Sequence, residues 1–401
     1  MSDSTPRQKL RMRSGAILVI NCGSSSVKFA LFGVEPSLSR FWSGSVDRIG
    51  IPDTHLHVVD GKGSTVIEKA DPLASHEEAL TQILELVEQH GPTLAAVGHR
   101  VVHGGENDGA VVVTTAVEMR LRQLIPLAPL HQPHNVAGIS AVRKVRPHVP
   151  QVACFDTAFH HDLQRLATLT ALPRSFHDQG VRRYGFHGLS YEYIVMQLCA
   201  NGVDVAHLGN GASMCALKGG RSVETTMGFS TLSGLPMGTR CGDLDPGLVL
   251  YLLSGRGMSV ESVQHLLYEE SGLLGMSGLS SSMEDLLSLP VDPAAVEAIE
   301  AFCYQARQHV AALTASTGGL DRLVFTGGIG ANAPAVRAKI CEGLEYLGIA
   351  LDAELNADND RVISADAGNV IVEAFATDEE VMIAHHVGRV LAAKPLAARE
   401  A

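Results

Sequence analysis

Asn21 and Lys28 stand on either side of the turn Gly23-Ser24-Ser25-Ser26, and strand-like apolar runs flank that turn (Leu18–Ile20 and Phe29–Phe32). A turn of glycine and serines can aim backbone N–H groups and small hydroxyls at one point, which is how an anion is held. Asn21 offers a metal-ligating oxygen beside it, and Lys28 a cation suited to phosphate. A second hairpin of the same kind is predicted at Val205–Leu217, turning through Gly209-Asn210-Gly211. Two phosphate-type hairpins in one chain imply two related lobes closing on a nucleotide. No G-x-x-x-x-G-K-[ST] sequence is present, so this is not a Walker-type ATPase.

The elements that must position these residues alternate between short strands and helices, the pattern of an α/β fold. Ser75-His-Glu-Glu78 reads as a capping box, followed by Leu80, Ile83, Leu84 and Val87 on one helical face and by a stop at Gly91-Pro92. Ala95–Val102 reads as a buried strand carrying Arg100 near its end, and Val152–Phe155 as another followed by Asp156. Chemistry in α/β folds gathers at such strand ends. An acid ending an apolar strand is costly to place without partners. Leu323–Thr326 leads into Gly327-Gly-Ile-Gly330 and then a helix entered through Asn332 and Pro334. Thr377-Asp-Glu-Glu380 reads as a further capping box in which Glu380 caps and Glu379 stays free. His131 and His134 have a spacing that suits a metal pair, but Pro133 argues against the helix that would put both on one face. His131 therefore reads as a cleft wall and His134 as structural.

The 401 residues suggest two domains or one large one, with ample material for real cores. A net charge of −12 argues against nucleic acid as a main partner. No apolar stretch approaches the roughly 18–20 residues of a membrane span. The basic cluster Arg7, Lys9, Arg11 and Arg13 precedes too short an apolar run for a signal peptide and reads as a loose extension. The seven cysteines form no C-x-x-C pair and read as reduced thiols, with Cys22 and Cys241 in candidate site loops.

Several blocks carry a wider resemblance: Asn21-Cys-Gly-Ser-Ser-Ser-Val-Lys28, Gly98-His-Arg-Val-Val-His-Gly-Gly105, Phe155-Asp-Thr-Ala-Phe-His160, Arg183-Tyr-Gly-Phe-His-Gly188, Met237-Gly-Thr-Arg-Cys-Gly-Asp-Leu-Asp-Pro246 and Phe325-Thr-Gly-Gly-Ile-Gly330. In this order, over nearly the whole chain, they resemble the acetate kinase family, of the superfamily that also holds sugar kinases, actin and heat-shock ATPases. The resemblance implies two related α/β lobes with the nucleotide cleft between them: residues 1–157 with a return helix at about 381–401, and residues 158–380. It implies reversible phosphoryl transfer from ATP to acetate, giving acetyl phosphate and ADP. Arg100 would hold the acid. Arg240 and His187 would neutralise charge on the moving phosphoryl, and Asp156 would serve the reacting centre. Asn21 and Glu379 would support Mg²⁺ (or Mn²⁺), chiefly through water. The acid pocket would be Val102, Leu130, Phe186 and Thr231. Nucleotide would be held by Ser24, Ser26, Lys28, His207, Leu208, Gly209, Asn210 and Gly211, by Ser282 and Glu284, and by Gly328, Ile329, Gly330, Ala331 and Asn332. A cytoplasmic homodimer without nucleic-acid or membrane partners is expected.

The nearest alternative is a kinase of propionate or another short-chain acid. A chaperone-like or filament-forming ATPase is more distant: a chaperone would continue into a substrate-binding domain, and a filament would have no use for Arg100, Arg240 and His187. The chain also departs from the family pattern. Ser230-Thr231-Leu-Ser-Gly234 stands where Thr-Pro-Leu-Glu-Gly is usual, so Thr231 replaces a proline. Ser282 and Glu284 stand where the family has the Asp and Arg of Ser-Asp-x-Arg, and Ala331 replaces the Glu of Gly-Ile-Gly-Glu-Asn.

Overall fold

In a computed structural model the protein is described at residues 15–23, 25–34, 38–51, 53–70, 72–198 and 203–393. The N-terminal extension, Ser24, Cys199 and residues 394–401 of the expected return helix lie outside the described residues.

Two sheets organise the chain. The first contains β1 (Ala16–Cys22), β2 (Ser26–Gly33), β3 (Ser39–Asp47), β4 (His55–Asp60), β5 (Thr65–Ala70), β6 (Leu94–Val101), β7 (Val111–Val112) and β8 (Gln151–Phe155), in the order β5-β4-β3-β2-β1-β6-β8-β7. The second contains β9 (Val203–Leu208), β10 (Ala212–Lys218), β11 (Arg221–Thr225), β12 (Arg322–Thr326) and β13 (Ile371–Ala374), in the order β11-β10-β9-β12-β13. The stretch β3-β2-β1-β6-β8 has the same topology as the whole second sheet. In each, a hairpin's first strand pairs antiparallel with its partner and parallel with a later strand. The fold is therefore a duplicated α/β unit, and the two hairpins are equivalent places in it.

Central strands buried on both faces read as continuous apolar runs. Residues 16–20 of β1 are at most 1% exposed. The helix His76–His90 buries Ala79, Leu80, Ile83, Leu84 and Val87, the face its periodicity predicts. Its cap is half a box. Ser75 accepts from the Glu78 N–H, but the Glu78 carboxylate accepts from Ala74 rather than from Ser75.

Three local expectations are corrected. Pro133 does not prevent a helix; it opens one, Gln132–Val145, because proline's fixed φ and missing donor suit the first turn. A helix begins at Gly327, directly off β12, and Pro334 starts a separate one. The last helix, Glu379–Ala393, begins two residues early, and its cap is not Thr377. Asp378 Oδ1 accepts from the Val381 N–H, while Thr377 donates to the Ser190 carbonyl at 3.5 Å.

That last helix returns the chain from the second sheet to the first. Phe375 N–H donates to the Phe325 carbonyl beside β12, and four residues later the helix starts across β1 and β6. Its Ile383 and Val387 are fully buried, each worth roughly 1.5–3 kcal/mol. A Cβ on Gly98 of β6 would lie 2.7 Å from methyls of both, so only glycine lets the helix sit this close.

Candidate active site

The two hairpins face each other across a cleft of about 610 Å³. The first contributes Asn21, Gly23, Ser26 and Lys28, and the ends of β6 and β8 contribute Arg100, Val102 and Asp156. The return segment adds Thr377–Glu380. From the second half come Phe186 and His187, then His207 and Gly209–Gly211, then Thr231 and Arg240 on the loops that follow.

Asp156, 1% exposed, finds its partner in Arg100. Arg100 Nε donates to Oδ1 at 3.0 Å and Nη2 to Oδ2 at 2.8 Å, a two-pronged pair. Arg100 Nη1 also lies 3.2 Å from the Glu379 carboxylate. Burial works against the Arg100 charge, but Asp156 and Glu379 hold the guanidinium above its usual range. Burial pushes the Asp156 carboxyl up, and Arg100's donors oppose that. No carboxylate pairs with Arg240 among the described residues. Its Nη1 donates to the Thr231 carbonyl at 2.7 Å, and burial lowers its pKa to about 10. A Cβ on Gly211 would meet Arg240 Nη2 at 2.6 Å and His187 Nε2 at 3.2 Å, so the glycine of the second hairpin lets both groups reach its turn.

His187 has φ +58°, the left-handed region in which a non-glycine residue is strained. The turn that imposes this is fixed at both ends. Gly188 N–H donates to the Asp156 carbonyl at 2.9 Å, and the ring's Nδ1 meets Ser213 Oγ at 2.8 Å. Tyr191 shares that hydroxyl. The arrangement that satisfies all three groups runs Tyr191 O–H to Ser213, Ser213 O–H to Nδ1, leaving the imidazole proton on Nε2 beside Gly211. Burial, then His207, Arg100 and Arg240, hold His187 well below its ordinary pKa, so it is a neutral donor. His207 stacks on it at 4.3 Å between ring centres, is lowered to about 4 by burial and Arg100, and bonds Ser190 through Nδ1.

Thus Asn21, Ser26, Lys28, Arg100, Val102, Asp156, Phe186, His187, His207, Gly209, Asn210, Gly211, Thr231, Arg240 and Glu379 share one cleft. Leu130 is half-buried and does not line it; Leu208 is core. Ser282, Glu284 and residues 328–332 also stand off the cleft, on its second-lobe side. Gly328 N lies 3.9 Å from the Cβ position of Gly209, and Gly238 fits between Asn210 and the Ser281 carbonyl. His131 lines the cleft, where burial and the two arginines lower it to about 3. His134 instead stacks on His76 at 5.3 Å. Burial raises Cys22 to about 12 and Cys241 to about 11, so neither is a thiolate.

Sequence reasoning missed Arg40, Asn135, Asp378 and Glu380, which also line the cleft. Asn135 accepts from Val102 N–H and donates to the Cys22 carbonyl, both at 3.0 Å, tying the ends of β1 and β6 together. Arg40 pairs with Asp378 at 2.7 Å and Glu380 at 3.3 Å, so Glu380 is an ion-pair partner rather than a cap. Burial raises Glu380 to about 7. An unbroken charge pattern around 378–380 was the one available signal; Arg40 carried none.

Residues 16–385 match the model of the Acetokinase family. An acetate kinase of Rhodopseudomonas palustris is 50% identical over 94% of this chain and 98% of its own length. Among solved structures, a Porphyromonas gingivalis acetate kinase has a TM-score of 0.83 at 35% identity, covering 94% of this chain and 100% of that one. A Francisella tularensis propionate kinase has a TM-score of 0.87 at 36% identity, covering 93% and 98%.

Proposed function

The chain belongs to the acetokinase family, and we propose that it is an acetate kinase transferring the γ-phosphoryl of ATP reversibly to acetate. The observation that carries the reading is a pair of guanidiniums, the half-buried Arg100 and the buried Arg240, in one cleft between two phosphate-type hairpins.

The chemistry asks for little proton handling. An acetate oxygen attacks the γ-phosphorus, the bond to the β-phosphate oxygen breaks, and acetyl phosphate and ADP leave; the carboxylate is already ionised at neutral pH and needs no base. The cleft suits that demand. Its histidines are held neutral, and Asp156 is committed to Arg100 rather than free to deprotonate a hydroxyl, as a sugar kinase would require. What the reaction does demand is positive charge where two anions meet. Arg100, braced by Asp156, holds the acid. Arg240 and the Nε2–H of His187 meet the phosphoryl oxygens, where preorganised donors act without reorganising. Lys28 and the first hairpin receive phosphate from the opposite wall.

Mg²⁺ fits the donor set. Asn21 and Glu379 offer hard oxygens on one wall, and no cluster of three or more His, Cys, Asp or Glu capable of holding a metal occurs among the described residues. Mg²⁺ is usually held by one or two protein oxygens plus substrate phosphates and water, where it neutralises phosphate charge. The reading includes a cytoplasmic homodimer. Supporting these are unpaired cysteines and the exposed Leu248, Leu250, Tyr251 and Val260 along one segment. No helix among the described residues is long and apolar enough to cross a membrane.

Trapping acyl phosphate as hydroxamate across a panel of acids and donors tests the activity. Hydroxamate from acetate with ATP is expected; none from any short acid would overturn the reading. Light scattering at micromolar concentration tests the dimer.

A further inference from the structure

Thr231 lines the cleft together with Val102 and Phe186, the residues expected to form the acid pocket. Its carbonyl accepts from Arg240, so the residue is fixed beside the guanidinium on which the chemistry depends. It is 3% exposed, and its Oγ1 has no hydrogen-bond partner among the described residues. Buried hydroxyls are nearly always paired, and one left unpaired in a ligand site calls for a partner from the ligand. The methyl of acetate or the ethyl of propionate cannot provide one. A hydroxyl on the carbon next to the carboxylate can, since it both donates and accepts, as Thr231 does. Thr231 is tied to Arg240, which lies close enough to Arg100 for their charges to interact, so an acid held by Arg100 would carry that carbon into the cleft Thr231 lines.

We propose that this site also phosphorylates short 2-hydroxy acids, glycolate being the smallest, and that Thr231 selects them over alkyl acids of equal size. The proposal rests on the acyl kinase reading. The step is the same: a carboxylate oxygen forms the bond to the γ-phosphorus, the bond to the bridging oxygen of ADP breaks, and ADP takes that electron pair. The 2-hydroxyl keeps its proton and is not the acceptor, so the product is an acyl phosphate that hydroxylamine traps.

Glycolate and propionate form the decisive pair, because they match in size and differ in a hydroxyl against a methyl. The kcat/KM for each, by hydroxamate formation with matched ADP release, is measured for the native enzyme, Thr231→Val and Thr231→Ser. Valine keeps the shape and removes the hydroxyl; serine keeps the hydroxyl. The glycolate-to-propionate ratio is expected to fall about tenfold in Thr231→Val, and to stay near native in Thr231→Ser. Comparing ratios cancels the intrinsic reactivity of the two acids and any general loss in the variants. An unchanged ratio in Thr231→Val, or a native enzyme that prefers propionate, overturns the proposal. Failure to phosphorylate any short acid would instead overturn the acyl kinase reading.

Discussion

Arg240 and Arg100 are both cations lining the cleft, yet their surroundings differ. Arg100 is neutralised by Asp156 and Glu379, whereas Arg240 is held by a carbonyl and is lowered to about 10 by burial. Arg240 therefore keeps a charge that no carboxylate among the described residues offsets, and on the proposed reading its loss should fall on turnover. Arg240→Ala is expected to lower kcat by on the order of 10²–10³ with little change in thermal unfolding. Near-normal turnover in a folded variant would show that Arg240 is structural. Arg240→Lys should recover little, since an ammonium cannot reproduce the planar fork. Residues of this kind were legible in the sequence because each sits next to glycines at a strand end or tight turn. Leu130 was not: the family pattern put it in the acid pocket, but it does not line the cleft. His187 was legible as a presented imidazole, while its left-handed backbone and the Tyr191–Ser213 chain behind it arise from tertiary packing.

Local patterns predicted elements well where one face meets one core, as in the helix His76–His90. They failed where the partner is remote. Arg40 on β3 and Asp378 are 338 residues apart, and nothing in either segment announces the other. Arg40 bridges Asp378 and Glu380 on both sides of Glu379, so it fixes the first turn of the return helix and aims Glu379 at Arg100. Arg40→Ala is expected to lower kcat about tenfold or more and weaken Mn²⁺ binding in a ligand-detected measurement, with partial recovery in Arg40→Lys; unaltered Mn²⁺ affinity would remove its positioning role. Asp204 on β9 is the opposite failure, an acid just ahead of the predicted hairpin that the strand nevertheless buries. It is 1% exposed, neither carboxylate oxygen has a partner among the described residues, and burial pushes it up to about 8. Below the unfolded value of 3.8 the carboxyl is neutral in both states. As pH rises past that value the unfolded chain ionises while the fold does not, so stability falls until about pH 8 and levels off above it. Melting temperatures from pH 5 to 8.5 should fall more steeply for the native protein than for Asp204→Val. Parallel curves would show that Asp204 is paired and ionised in solution.

At the scale of the whole molecule, duplication separates two tasks. On the proposed reading, phosphoryl chemistry lies where the two hairpins face each other, so it draws on both halves and on the helix that rejoins them. That reading gives recognition of the nucleoside to the second half, where Gly238 fits between Asn210 and the Ser281 carbonyl and Gly328 lies beside Gly209. Change can therefore accumulate there without disturbing the reacting centre. Ser282 spends its hydroxyl capping a short helix, accepting from Asp285 N–H at 3.3 Å, and Glu284 is exposed in that helix's first turn. Neither supplies the flat cationic surface that an arginine at position 284 would lay against a base. The donor should accordingly be ATP with weak preference for its base: kcat/KM for GTP and ITP within roughly tenfold of that for ATP, about 1.4 kcal/mol. Glu284→Arg should widen the gap in favour of ATP while leaving acetate's KM in place, because position 284 stands off the acid end of the cleft. Rejection of GTP and ITP by orders of magnitude in the native enzyme would mean that other residues of the second half grip adenine. Turnover with pyrophosphate in place of ATP would mean that the nucleoside region no longer takes part in binding the donor.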